Sequence, residues 1–299
     1  MDLAPITRCA AALIVLGLIG APAVAEQRAL SKSSPEVQRV VSMNPSLTRM
    51  LIALGARERL VGVDHYSAVT EPSVAELPKV GGLFNPSLEK VVALEPDLVV
   101  VVPSVQQRGF RSRLRELGVE VLELSNITLD EILQSIETLG DRIGRSEAAR
   151  ERVAEIKSAW SEISKQAKSR PRQSAVLVIT RDPLYVAGGG SYLNSMLEAA
   201  GVDNAAAEYA EAYPRVSLEW LIATQPQVII DSADDSMSAL EHWSQWPSIP
   251  AVADGRVVAV QQGMVTLPGP YLDRSLRTLV AAIRHVDTPS GASEAGVAR

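Results

Sequence analysis

The sequence predicts an α/β protein: two βα sandwich lobes with mainly parallel sheets, joined by one long rigid connecting α-helix. Three observations predict it. Short apolar runs alternate with amphipathic helical stretches in two successive blocks, the pattern of βαβ units. The run Asp97 to Val102 (DLVVVV) is continuously apolar, as a strand buried on both faces must be. Between the blocks, Thr128 to Lys168 holds no proline and is rich in Glu, Lys, Arg, Ala, Ile and Leu.

In the first block Arg39 to Ser42 reads as a strand. Asn44-Pro45-Ser46 starts a helix, because Pro fits the first turn and Asn or Ser caps its orphan N–H groups. Leu47, Met50, Leu51 and Leu54 recur at helical spacing until Gly55. Leu60 to Val63 is the next strand. Ser87 to Leu94 is a helix stopped at Glu95-Pro96, and the apolar strand at 97–102 follows. Arg108 to Leu117 is a helix closed by Gly118, and Val119 to Leu122 is a strand. Gly140 and Gly144 mark a break. Ser146 to Lys168 then reads as one helix, with Ala149, Val153, Ile156, Trp160 and Ile163 on one stripe. At 1.5 Å per residue it reaches roughly 35 Å and limits hinge motion. Arg170-Pro171 ends it. The second block comprises strand Ala175 to Ile179, helices Tyr192 to Ala200 and Leu218 to Thr224, strands Val228 to Asp231 and Arg256 to Val260, and helix Tyr271 to His285.

The first 25 residues read as an address. Arg8 precedes an apolar run, Cys9 to Ile19, and Ala21-Pro22-Ala23-Val24-Ala25 offers a small-residue cleavage site, the layout of a secretory signal peptide. Cleavage near Ala25 removes Cys9 and leaves a thiol-free exported chain; a lipid anchor would need its Cys at the cleavage point. The expected organisation is then signal peptide 1–25, flexible segment 26–37, N-terminal lobe 38–144, connecting helix 145–169, C-terminal lobe 170–287 and disordered tail 288–299.

Composition narrows the function. The 299 residues are 46% hydrophobic, so the chain can build a large core. With 29 Lys+Arg against 35 Asp+Glu the charge is −6, which argues against a nucleic-acid partner. One Cys excludes a disulfide scaffold, and three scattered His (His65, His242, His285) offer no resident metal site. Enzyme signatures are missing: there is no G-x-S-x-G elbow, no H-E-x-x-H and no Cys nucleophile. Gly188-Gly189-Gly190 precedes a helix but fails the dinucleotide fingerprint, because Leu193 stands at the third Gly position. It reads as a tight loop permitting close backbone approach, with the ligand as one partner for that approach.

An internal repeat sharpens the two-lobe reading. Ser87 to Val100 (SLEKVVALEPDLVV) and Ser217 to Ile230 (SLEWLIATQPQVII) align at an offset of 130 residues, with Ser, Leu, Glu, Ala and Pro in register. Met50-Leu51…Gly55 and Met196-Leu197…Gly201 form a weaker pair. Two lobes on one plan face each other across a cleft, a preferred place for a small-molecule site. Glu89 and Glu219 fall in the first turn of the repeated helix. There they complement the helix dipole, or they form one docking carboxylate per lobe for a basic partner.

These features together resemble the periplasmic binding proteins that feed cobalamin, haem and ferric-siderophore ABC importers, often called helical-backbone metal receptors. The resemblance covers residues 37–287. It is carried by Arg39 to Ser46 (RVVSMNPS), Leu60 to Asp64 (LVGVD), Val80-Gly81-Gly82, Leu88 to Val100, and Pro183 to Ser191 (PLYVAGGGS). It implies a non-enzymatic, monomeric binding protein without a cofactor, whose cargo is a metal chelate. It further implies that Glu89 and Glu219 dock on the permease of an ABC transporter and so serve its ATPase.

Within that family the chain looks most like the vitamin B12-binding branch. Tyr66 matches an aromatic of the corrinoid cleft. Leu83-Phe84 and Tyr213 stand where that branch has tryptophans. The branch carries an acidic and a basic residue on the loop before the last helix, whereas Gln261 to Leu267 (QQGMVTL) has neither. Cobalamin is therefore favoured, with haem and a ferric siderophore open. The expected ligand contacts are Tyr66, Leu83, Phe84, Tyr213 and Met264, the aromatics and Met264 falling on loops at the cleft. His65 or Tyr66 becomes a metal ligand only if the cargo is haem. Trp243 and Trp246 are expected to serve packing.

Overall fold

The computed structural model describes residues 36–83 and 85–287. The signal peptide, the polar segment up to residue 35, Phe84 and the tail from residue 288 lie outside the described residues. The chain opens with β1 (Val40–Ser42), α1 (Pro45–Ala53), β2 (Leu60–Val63) and α2 (His65–Thr70). α3 (Leu88–Val92), β3 (Leu98–Val101), α4 (Arg108–Glu116), β4 (Glu120–Glu123) and α5 (Leu129–Arg142) complete the first lobe. Its four strands are all parallel, in the order β2-β1-β3-β4. All four residues of β3 are buried, as its unbroken apolar run requires.

α6 (Ser146–Ala167) is the connecting helix, 22 residues long. The second lobe follows with β5 (Ser174–Arg181), β6 (Leu184–Val186), α7 (Tyr192–Ala199), β7 (Asp203–Asn204), α8 (Leu218–Thr224) and β8 (Val228–Asp231). α9 (Ala239–Trp243), α10 (Pro250–Ala253), β9 (Val257–Ala259) and α11 (Leu272–Asp287) end it. β7, β5, β8 and β9 pair in parallel, and only β6 runs antiparallel, against the far end of β5.

The repeat is structural as well as sequential. β1 lies between β2 and β3 as β5 lies between β7 and β8. Glu95 (φ 44°) and Gln225 (φ 50°), equivalent residues before a proline, both take the left-handed conformation. Two residues on, Asp97 Oδ2 accepts from the N–H groups of Gln38 and Arg39 (both 2.9 Å), and Gln227 Oε1 accepts from Ser174 N–H (3.0 Å). Each lobe thus ties the start of its central strand to the strand beside it in the same way.

α6 does more than span the lobes. Its Ala149, Val153, Ile156 and Ile163 belong to one apolar cluster with Val40 and Leu98 of the first sheet and Ala175, Leu177 and Ile230 of the second. Trp160, expected on that stripe, packs half-buried against the cluster. A core continuous through the connector resists separation of the lobes, because opening it would expose apolar surface at about 25 cal/mol per Å².

Candidate functional site

A cavity of about 570 Å³ opens at the carboxyl ends of the parallel strands of both sheets, where open α/β sheets place their ligands. Pro45, Tyr66, Thr70 and Asn126 contribute from the first lobe. Ile179, Leu193, Tyr213, Asp234 and the 262–268 loop contribute from the second. Asn126, Asp234 and Gln262 each stand three residues beyond the end of their strand, β4, β8 and β9. One carboxylate, two phenols, amides and hydroxyls thus face the space, with no cation among the described lining residues.

Tyr66 and Tyr213, both expected in the cleft, are brought into this one cavity from opposite lobes. Tyr66 was expected on a loop. The structure corrects this: His65–Thr70 is a six-residue helix, too short to show a periodic pattern, and capped by Asp64. The helix sets Tyr66 and Thr70 four residues apart on one face, and both line the cavity. His65 is exposed, edge-on to Tyr66 with ring centroids 6.3 Å apart, and does not line it. Leu83 is half-buried and outside the lining, its carbonyl accepting from the buried Gln107 amide at 2.7 Å. Met264, 48% exposed, lines a neighbouring cavity on the far side of its loop.

Beneath α2 lies a buried chain of hydroxyls. Ser42 Oγ donates to the Asn44 carbonyl (3.3 Å), and Thr48 Oγ1 donates to Ser42 Oγ (2.8 Å). Ser67 Oγ meets Thr48 Oγ1 (2.8 Å) and also Asp64 Oδ2. Asp64 accepts from Ser67 at both carboxylate oxygens, from the hydroxyl at Oδ2 and from the backbone N–H at Oδ1 (3.0 Å). Burial pushes the Asp64 carboxyl above its ordinary value of 3.8, against the hydrogen bonds from Ser67 that lower it.

The native state then binds more protons than the unfolded chain as pH rises through and beyond 3.8. The stability contributed by protonated Asp64 is present in acid and lost as pH rises through its folded pKa. Asp64→Asn keeps the cap acceptor and removes the buried titrating group. It is expected to match the parent near pH 4 and to exceed it increasingly toward pH 7 in denaturant titrations. Asp64→Ala loses the cap, about 0.5–2 kcal/mol, at every pH. An Asn variant less stable than the parent at pH 7 would contradict the cost of burying the Asp64 carboxylate.

On the second lobe, the segment before α8 carries Tyr213. Gly188, Gly189 and Gly190 were expected to permit a close approach, to the ligand among others. The approach is instead to the chain itself: a Cβ on each would strike the carbonyl oxygens of Glu211, Ala207 and Ala210. The glycines let the 207–212 backbone lie against the 188–190 loop, and Gly188 N–H donates to the Ala212 carbonyl at 2.9 Å. Tyr213 is therefore placed by backbone contact. Tyr213 is 38% exposed, and burial pushes its phenol up to about 12, so it faces the cavity as a neutral hydrogen-bond donor.

Asp234 stands on a loop anchored by a buried cluster. Arg181 Nε pairs with Asp231 Oδ2 at 3.0 Å, and Arg181 Nη1 donates to the Met237 carbonyl at 2.7 Å. Trp243 Nε1 donates to Asp231 Oδ2 at 2.5 Å. Trp243 is 1% exposed and Trp246 packs half-buried against the same cluster, the packing role expected of both. His242 packs on both rings. Burial, with the Arg181 charge, lowers its pKa below 6.5.

Glu89 and Glu219 are exposed in the first turns of α3 and α8, where Ser87 and Ser217 cap through their hydroxyls at 3.3 and 3.2 Å. The Glu219 carboxyl is held below the usual range by its own backbone N–H and the Ser217 hydroxyl. Among the described residues no cluster of three His, Cys, Asp or Glu side chains could hold a metal ion. No helix among them is long and apolar enough to cross a membrane.

The chain is 29% identical to the ABC transporter substrate-binding lipoprotein YvrC of Bacillus subtilis, covering 83% of this chain and 80% of that one. It is 24% identical to the vitamin B12-binding protein of Vibrio parahaemolyticus, over 87% of this chain and 93% of the other. Among solved structures it resembles the periplasmic vitamin B12-binding protein BtuF of Vibrio cholerae. The TM-score is 0.74 at 23% identity, over 84% of this chain and 98% of the other. It also resembles a periplasmic heme-binding protein from Pseudomonas aeruginosa, with TM-score 0.70 and 28% identity, over 83% and 92%. The family profile described as periplasmic binding protein matches residues 40–262, about three quarters of the chain. On that match and this fold, the chain belongs to the periplasmic binding protein family, whose members are binding proteins, not enzymes, serving ABC transporters outside the cytoplasm.

Proposed function

We propose that this protein captures a cobalamin-type metal chelate between its lobes and delivers it, unchanged, to an ABC permease. The observation that carries the reading is the cavity itself, with one tyrosine from each lobe and a lining of amides, hydroxyls and a single carboxylate. Flat, partly apolar macrocycles match aromatic walls. A corrinoid arrives with its metal already coordinated and with an amide periphery, which Asn126, Gln262, Thr70 and Asp234 can meet by hydrogen bonds. A polyanionic siderophore would face Asp234 with no cation among the described lining residues to offset it. Haem would need an axial ligand, and a phenol pushed up to about 12 is no ready phenolate, which leaves Tyr66 for that task. Similarity to both vitamin B12-binding and heme-binding proteins supports the class of cargo.

The chelate is cargo and not a cofactor. In this reading the exported chain, cleaved near Ala25, acts as a monomer. Glu89 and Glu219 dock on the permease, which couples it to the ATPase. Tyr66, Leu83, Phe84, Tyr213 and Met264 remain the proposed ligand contacts.

Calorimetric titration with cyanocobalamin, haemin and ferrichrome tests the reading, with cyanocobalamin expected to bind most tightly. Tyr66→Ala and Tyr213→Ala should each weaken it about 30-fold, equivalent to about 2 kcal/mol for a central aromatic anchor. Silence toward all three chelates would refute the reading. A haemin Soret shift lost in Tyr66→Ala would reassign the cargo to haem.

A further inference from the structure

The loop between β9 and α11 divides two spaces. Behind it lies a second cavity of about 330 Å³, which shares Gly263, Leu267 and Pro268 with the main one. The dividing wall is firmly tied. Arg49 Nη1 donates to the Gly263 carbonyl (3.3 Å), Ser275 Oγ to that of Met264 (2.6 Å) and Tyr192 Oη to that of Val265 (3.2 Å).

The charges facing this second space do not cancel. Arg49 is paired with Glu71 through Nε, and Asp273, two residues after Tyr271, is taken by Arg152. Arg274 meets no carboxylate within ion-pair distance among the described residues. Its guanidinium lies 4.9 Å from the centroid of the Tyr271 ring, which orients the group while leaving its hydrogen-bonding edge available. It also stands in the first turn of α11, a 16-residue helix whose positive dipole end adds to the field. Arg49, with Nε engaged, contributes field rather than a free fork.

We propose that this second cavity binds an oxyanion, a phosphate or carboxylate group, with Arg274 as its principal donor. The two cavities then divide a ligand by charge. Among the described residues the main cavity offers one carboxylate and no cation, so it suits an uncharged body. The second offers an uncompensated guanidinium and suits a charged arm. The oxyanion is either a free ion or an arm of the captured chelate, such as the phosphodiester of a cobalamin; this second source rests on the chelate reading above.

The test follows the guanidinium Nε–H resonance of Arg274, assigned by its loss in Arg274→Gln, with an unchanged thermal midpoint as the folding control. Inorganic phosphate is expected to shift it saturably, and chloride at equal ionic strength is not. In parallel, Arg274→Gln should weaken cyanocobalamin at least tenfold and leave cobinamide, which lacks the phosphodiester, within twofold. A phosphate response without a cobalamin effect assigns the site to a free oxyanion, and a cobalamin effect assigns it to the arm. An Arg274 resonance that ignores phosphate, together with equal weakening or none for the two corrinoids, overturns the proposal. If no chelate binds at all, the chelate reading fails while the phosphate titration still decides the site.

Discussion

Asp231→Ala is expected to destabilise the protein by about 3–5 kcal/mol, the range for breaking one side of a buried ion pair. The Arg181 and Asp231 side chains are 4% and 1% exposed, so the guanidinium left behind keeps little access to water. Trp243 Nε1 loses its acceptor in the same step. Against a typical total of about 5–15 kcal/mol, this is a large fraction of what holds the native state. Chemical denaturation of the variant checks it, with a midpoint shift at unchanged slope as the expected signature. The double variant Asp231→Ala with Arg181→Met should recover much of the loss, because an apolar side chain needs no partner there. A single-variant shift below about 1 kcal/mol would show that water reaches Arg181 and that the pair is weak. Because Arg181 also holds the Met237 carbonyl, the loop bearing Asp234 should loosen, and chelate affinity should fall with stability.

The second large effect concerns delivery. In the proposed docking role, Glu89→Ala with Glu219→Ala leaves chelate affinity unchanged and abolishes uptake. Neither carboxylate lines the main cavity, and both are exposed on first-turn positions of equivalent helices. Truncation would leave each basic permease partner without its counter-charge. The Ser caps stay in place, so the helices lose only an exposed, solvent-screened dipole interaction and the fold should be retained. Uptake into vesicles carrying the permease, measured beside chelate calorimetry, separates the two roles. Unimpaired uptake would return both residues to simple dipole partners.

Legibility in the sequence followed element length. Residues 97–102 and 146–168 could be placed because a buried strand and a long amphipathic helix repeat their signal many times. α2, α9 and α10 have six, five and four residues, too few for a period to emerge. Tyr66 and Tyr213 were legible as aromatics at the cleft, though α2 beneath Tyr66 was not. Asn126, Asp234 and Gln262 were missed although a signal existed, since each follows a parallel strand by three residues and strand ends point at the ligand.

What the sequence by itself determined is the α/β class, the repeated lobe plan, the long connector and the two first-turn glutamates. All of these rest on local pattern: apolar period, caps and a fixed offset between like segments. Tertiary structure alone decided which side chains share the cavity and which glycines serve packing. It also decided that one apolar cluster runs through the connector, and that Arg274 faces a space where no carboxylate among the described residues pairs with it. Those facts depend on contacts between residues far apart in the chain, such as Arg49 with Gly263 or Tyr192 with Val265. A local pattern cannot encode them, because register, twist and helix packing fix such distances only when both lobes are assembled.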